Sequence, residues 1–244
     1  MVAFRVDATD DFNQIKAFVE HYTLCQRVHE VQIVWNSKKP IPGPSAFTYY
    51  HTHSLVSFEE PSDKLNGRFT GKLPISTESV FLADPDVIVS CDDLHFTFEV
   101  WKTSKSAMVG FFPRLHTEAD HKLLYLGWSY VWWNGVYSFV LPSASFVDKR
   151  YLAEYAMSVK LLPVVERMGG CADLAFVLST AQSSHTPSIY VQVPVAYSQY
   201  RYELPNKGGA SRSECLNQLV IALNENPLLL SAHKAYPAKD ALFW

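Results

Sequence analysis

Two aspartates one residue apart, Asp84 and Asp86, stand at the end of a short apolar run, Val80-Phe-Leu-Ala83. In an open α/β sheet the ligand crevice lies beyond the carboxyl ends of the strands, so acids placed there face a substrate. Paired carboxylates suit a hard divalent cation with oxygen ligands, and such a cation commonly grips phosphates. The chemistry offered is capture of a metal–diphosphate by Asp84 and Asp86. Asp-Pro-Asp is also a turn-forming tripeptide, so a plain surface turn is the competing reading. A second acidic pair, Asp92 and Asp93, differs in setting. It opens a segment, Cys91 to Lys102, in which Leu94, Phe98 and Trp101 recur on one helical face. Side-chain oxygens at a helix start accept orphan backbone N–H groups, and negative charge suits the dipole there. That pair is assigned to capping.

Asp173 follows Gly169-Gly-Cys-Ala at the head of an apolar helix, and Arg212 lies in Ala-Ser-Arg-Ser-Glu-Cys. Alone, Asp173 reads as another cap and Arg212 as one arginine among many. His51-Thr-His53 has the alternation that puts two imidazoles on one side of a strand, but a zinc site needs a further ligand that the sequence does not supply. The sequence contains no Gly-x-Gly-x-x-Gly, no P-loop and no Gly-x-Ser-x-Gly, so the dinucleotide fingerprint, the Walker motif and the serine-hydrolase elbow are all missing. Cys25, Cys91, Cys171 and Cys215 form no Cys-x-x-Cys pair. They fit either a reduced cytosolic protein or one or two disulfides in a lumen.

The elements that must position these residues alternate. Residues 2–6 read as a strand. Phe12, Ile15, Phe18, Val19 and Tyr22 give a helix to about Cys25, and Val31–Trp35 is the next strand. Strand, helix, strand implies a right-handed crossover and a parallel sheet. Lys38 to Pro44 is a proline-rich loop, and Leu55–Phe58 and the run ending at Asp84 are further strands. Met108–Phe112 is a strand with Pro113-Arg-Leu-His as its exit loop. Tyr137–Leu141 and Ile189–Val193 are strand-like, Asp148–Met168 is helical with a break or start at Pro163, and Ser211–Leu223 is a last long helix. The tail after Pro227 reads as irregular.

The composition belongs to a globular chain of 244 residues, 48% hydrophobic and 18% charged. Aromatics make up 14%, which favours deep cores or ring-stacking clefts. A net charge of −3 offers nucleic acid no basic face. No apolar run reaches the roughly 20 residues of a membrane helix, and Met-Val-Ala-Phe-Arg-Val lacks a signal-peptide pattern.

Taken in order, Val-Phe-Leu-Ala-Asp-Pro-Asp, then Cys-Asp-Asp-Leu-His-Phe-Thr-Phe-Glu-Val-Trp-Lys, then Val109-Gly-Phe-Phe-Pro-Arg114 resembles the glycosyltransferase domain at the C-terminal end of exostosins and exostosin-like proteins. The likeness takes in His21-Tyr22, Val31–Asn36 and Leu65–Phe69 upstream. Downstream it takes in Tyr137–Leu141, Gly-Cys-Ala-Asp-Leu-Ala at 170–175 and Ala-Ser-Arg-Ser-Glu-Cys-Leu-Asn at 210–217. It implies a GT-A fold over residues 1–244, a Rossmann-like mixed central sheet flanked by helices. About 1–100 would form the nucleotide-binding half and about 101–244 the acceptor half. It implies retaining transfer of a sugar, N-acetylhexosamine first among candidates, from a UDP-sugar to a glycan, glycolipid or glycoprotein, with Mn2+ or Mg2+. A GDP-sugar is the alternative donor. Carried over, Asp84 and Asp86 match the metal motif, with Asp86 the direct ligand. Asn36, Arg68 and Asp84 match nucleotide contacts, Asp173 the acid near the anomeric carbon and Arg212 the arginine near the diphosphate. Cys171 and Cys215 match a disulfide. The resemblance also implies a Golgi or endoplasmic reticulum lumen and is compatible with an oligomer. Pro85, Ala172 and Asp11 depart from the pattern, and they motivate the rival reading of a glycosyltransferase-like scaffold without turnover.

Overall fold

The computed structural model describes residues 2–7, 12–35, 40–41, 46, 55–60, 66–197 and 212–238. The chain opens with β1 (Val2–Asp7), α1 (Phe12–Thr23) and β2 (Val28–Val34). β1 and β2 pair in parallel, Asp7 opposite Val34, as the strand–helix–strand order predicts. α1 forms because Ile15, Phe18, Val19 and Tyr22 fall on one stripe, and all four are buried. β3 (Leu55–Glu59) lies parallel to β2, and the one-turn helix α2 (Gly67–Thr70) leads towards β4 (Ser79–Ala83). β4 pairs in parallel with β1. Val80 and Leu82 enter one hydrophobic core, while Phe81 and Ala83 enter a second core on the opposite face. A strand covered on both faces reads as an unbroken apolar run, which is why its sequence shows no alternation.

β5 (Val87–Ile88), α3 (Cys91–Thr103), β6 (Val109–Gly110), β7 (Pro113–Ala119), β8 (Lys122–Leu126) and α4 (Trp128–Asn134) follow. After them come β9 (Phe139–Val140), β10 (Ala144–Asp148), α5 (Lys149–Ala156), α6 (Leu162–Met168) and α7 (Ala172–Ser184). The chain closes with β11 (Ile189–Val191), β12 (Ala196–Tyr197), α8 (Arg212–Leu223) and β13 (Lys234–Ala235). Among the described residues the main sheet has the order β13-β11-β6-β10-β4-β1-β2-β3. β10 runs antiparallel to β4 and β6; the other pairings are parallel. The result is a mixed α/β architecture. α1 and α3 line the core on one face, and α5 to α8 line the core on the other. β1, β2, β3 and β4 therefore present their carboxyl ends along one edge, where the acidic turn sits.

Two expectations need correction. Residues 113–116 are no exit loop: they begin β7, which pairs with β8 across a two-residue turn. Asp120 and His121 both have positive φ there, 50° and 58°, the backbone that a tight hairpin demands. The tail after Pro227 is not wholly irregular, because Lys234–Ala235 adds a parallel strand to β11. The stretch 148–168 is helical as expected, divided into α5 and α6, with Pro163 beginning the second of these in its first turn, where its missing N–H leaves no bond unmade.

Candidate active site

Asp84 begins a four-residue turn. Its N–H donates to the Ser143 carbonyl at 2.7 Å, and its carbonyl accepts from Val87 N–H at 3.1 Å. Pro85 occupies the second turn position, where a fixed φ is favourable. Asp-Pro-Asp is thus a turn, and it is a turn set at the carboxyl end of β4; the two readings of this tripeptide describe one structure. Arg68 is buried, donates through Nη1 to the Ala83 carbonyl at 3.2 Å and is ion-paired with the Asp84 carboxylate. Its guanidinium lies over the Phe69 ring, and Phe69 stacks on Phe176 of α7 at 4.7 Å. Arg68 thus engages Asp84 from below the turn's start.

The segment after the turn is pinned from behind. Tyr22 donates from its hydroxyl to the Val87 carbonyl at 3.1 Å and accepts from Val89 N–H at 3.0 Å. Burial drives that phenol well above its ordinary pKa, against the smaller pull of the Val89 hydrogen bond, so it stays a neutral bridge. The His21 ring lies 2.7 Å from the Val89 carbonyl. His21-Tyr22 therefore fixes where Asp86 stands. The N-cap of α3 is Ser90: its Oγ accepts from Asp93 N–H and donates to the Asp93 carboxylate at 2.7 Å, so Asp93 joins the capping box, while Asp92 lies in the first turn, where its charge suits the dipole.

Asp173 and Arg212 meet. Asp173 lies in the first turn of α7, whose N-cap is Cys171, and Arg212 is the first residue of α8. The Arg212 Nη1 donates to both carboxylate oxygens, at 2.5 and 2.6 Å. A disulfide joins Cys171 to Cys215, so both helix starts are tied at the point where the ion pair forms. The rest of the 210–217 motif is a docking device. Ser213 Oγ accepts from Tyr125 N–H at 3.0 Å, and Asn217 exchanges two bonds with the Leu123 backbone, at 2.9 and 2.7 Å. This seats α8 on β8 and puts the Tyr125 ring under Arg212, 5.9 Å from its guanidinium carbon. Arg114 holds Tyr125 in turn, donating from Nε to its hydroxyl at 2.9 Å.

Burial alone would pull the Arg212 pKa down. The charge and hydrogen bonds of Asp173, then the charges of Tyr125 and Asp84, outweigh that and raise it above its ordinary value. Asp84 is the last and smallest of these influences. Arg212 keeps 45% of its side chain exposed against 16% for Asp173, so the cation faces outward over its carboxylate. An outward-facing guanidinium beside a carboxylate at two helix starts is chemically able to pair with a phosphate group. Tyr125, Arg114, Ser213 and Asn217 are the contributors that residue-type reasoning missed; Arg114, Ser213 and Asn217 lie inside the quoted motifs. Asn36, Asp11, His51 and His53 lie outside the described residues.

The glycosyl transferase family 64 domain matches residues 4–243. The chain belongs to this family, and with it to the glycosyltransferases. It is 30% identical over 258 residues to the glycosylinositol phosphorylceramide mannosyl transferase 1 of Arabidopsis thaliana, covering 96% of this chain and 75% of that one. It is 31% identical over 177 residues to the glucosamine inositolphosphorylceramide transferase 1 of Oryza sativa subsp. indica, covering 70% and 23%. Exostosin-2 of Homo sapiens is 29% identical over 214 residues, covering 84% and 30%. The chain thus spans three quarters of the first of these relatives and less than a third of the other two. Among the described residues no helix is long and apolar enough to cross a membrane.

Proposed function

We propose that this family 64 chain is a metal-dependent, retaining glycosyltransferase of the GT-A type, which moves a sugar from a nucleoside-diphosphate donor to the inositol phosphorylceramide class of glycolipid. The observation that carries the reading is the Asp173–Arg212 pair, tied at two helix starts by the Cys171–Cys215 disulfide, in a chain whose Asp84-Pro85-Asp86 turn sits at the carboxyl end of β4. In this reading the first 100 or so residues hold the nucleotide and the remainder receives the acceptor. The acceptor class comes from the relatives whose names carry inositol phosphorylceramide. UDP-N-acetylhexosamine is the donor that the exostosin likeness favours. The likeness to a mannosyl transferase over 96% of the chain favours the second reading, a GDP-linked sugar.

Carboxylate oxygens on a fixed turn fit Mn2+ or Mg2+, which prefer hard oxygen ligands. Asp86 would be the direct ligand, with Asp84 held by Arg68 as its neighbour, and Asn36 and Arg68 on the nucleotide side. A cation held there would supply positive charge to offset that of the departing diphosphate. Arg212 stabilises the same departing charge through its exposed guanidinium, an effect that grows as the bond breaks. Asp173 would face the sugar carbon as it gains positive character and steady it. Both disulfides, Cys25–Cys91 and Cys171–Cys215, use up all four cysteines, which supports an oxidising lumen such as the Golgi or endoplasmic reticulum.

The test is transfer to inositol phosphorylceramide from UDP- and GDP-sugars in Mn2+, read by mass spectrometry. Product from one donor, lost with chelator and with Asp173→Ala, supports the reading. Absence of product with every donor, while nucleotide still binds, would favour the scaffold alternative.

A further inference from the structure

Helix α4 is the least buried aromatic element among the described residues. Of its seven residues only Val131 is buried; Trp132 is 71% and Trp133 81% exposed, and Trp128 and Tyr130 are about half exposed. The tryptophans Trp35 and Trp101 lie in the core, so α4 does not expose indoles for want of a core. From Leu123 to Val147 the sequence has no Asp, Glu, Lys, Arg or His. Leu124 on β8 is exposed, as are Leu229 and Leu230, next to Ser231, which bridges to Tyr137 three residues beyond α4. Glu118, Asp120 and Lys122 stand at the tip of the β7–β8 hairpin. Exposed apolar patches of this kind mark interaction surfaces.

The patch is continuous with the site. Tyr125, whose ring underlies Arg212, lies on β8 only three residues before Trp128, roughly 10 Å of chain. Trp128 packs edge-on against Tyr190 of the main sheet, so α4 is mounted rigidly relative to that site. Tryptophan and tyrosine concentrate where an apolar body and a polar N–H or O–H are both satisfied, which is the interfacial zone of a lipid bilayer. A segment without charged side chains meets no charge-desolvation penalty on entering that zone.

We propose that α4 docks the enzyme on a lipid bilayer, Trp132 and Trp133 entering the interfacial zone and Trp128 and Tyr130 lying at its border. Docking holds the Asp173–Arg212 pair at headgroup height, where the sugar-bearing end of a glycolipid acceptor projects. The proposal rests on the reading that the acceptor is a glycolipid, and it adds the surface that reaches it.

The experiment is flotation of the full chain with phosphatidylcholine vesicles containing phosphatidylinositol, with brominated lipid as a quencher of tryptophan fluorescence. Donor binding and transfer to detergent-dispersed acceptor are measured in parallel, without any bilayer. The wild-type chain floats and is quenched; Trp132→Ser/Trp133→Ser lowers vesicle partition about tenfold or more and leaves nucleotide binding unchanged. A wild-type chain that binds nucleotide and stays in buffer overturns docking while sparing the transferase reading. Equal vesicle binding by the variant also overturns it. If the double substitution turns a dimer into a monomer in sedimentation and vesicles bind neither, the face belongs to a second copy and the proposal fails.

Discussion

Asp173 and Arg212, 39 positions apart, share a single guanidinium nitrogen, with Nη1 2.5 Å from Oδ1 and 2.6 Å from Oδ2. Two short helix starts, one disulfide and the Tyr125 ring bring about that meeting. Each of these supports can be removed separately.

The ion pair is partly exposed, and such pairs contribute only about 0–1 kcal/mol to stability. Its worth lies in the reaction, where a cation aimed at developing charge typically contributes about 10²–10³ in rate. Arg212→Ala should therefore lower transfer by that order and shift the thermal midpoint little. Unchanged turnover would remove Arg212 from the site.

The Cys171–Cys215 bridge spans 44 positions and Cys25–Cys91 spans 66. Loop-closure entropy assigns each about 4 kcal/mol. Cys171→Ser/Cys215→Ser should lower stability by up to that amount in denaturant melts and should also weaken transfer, because the helix starts are released. Cys25→Ser/Cys91→Ser should lower stability comparably and spare transfer more. Identical activity losses in the two variants would contradict the assignment of the first bridge to the site.

Gly110 lies where β6 meets β10. A Cβ there would stand 2.5 Å from the Ala144 carbonyl oxygen and 2.6 Å from Ser145 Cβ. Both obstacles belong to a packed central strand, so Gly110→Ala should destabilise the fold by about 1–3 kcal/mol. Urea unfolding checks this, and a neutral result would mean that β10 shifts freely.

His116 gives a pH signature. Its Nδ1 lies 2.7 Å from Ser138 Oγ and its Nε2 lies 3.0 Å from Asn226 Nδ2. An amide nitrogen only donates, so Nε2 accepts and the ring proton resides on Nδ1. Burial holds the pKa below its ordinary value. The folded pKa thus lies below the unfolded value of about 6.5, so this contribution is complete above that pH and is lost as pH falls through the folded pKa. The thermal midpoint should drop on acidification below about pH 6.5, and His116→Gln should flatten that drop. The same slope in both chains would contradict the assignment.

The parts of the fold with strong local periodicity were legible. Ile15, Phe18, Val19 and Tyr22 announced α1, the apolar run to Ala83 announced β4, and Leu94, Phe98 and Trp101 announced α3. The β7–β8 hairpin was not legible, because its turn is Asp120-His121 with no glycine to mark positive φ. β13 is two residues long and exists only through its pairing with β11, a contact no local window contains. Of the site, Asp173 and Arg212 were visible only as members of an ordered set of motifs; singly each looked like a cap or a surface cation. Four cysteines allow three pairings, and the Cys25–Cys91 bridge emerges only once α1 and α3 are packed side by side.

The most direct test of the account is calorimetric titration of UDP, and of GDP, into the chain with and without Mn2+. The account predicts binding of one nucleotide only when the metal is present, abolished by Asp86→Ala and retained by Asp173→Ala. Nucleotide binding that ignores both the metal and Asp86, or no binding under any of these conditions, would contradict it.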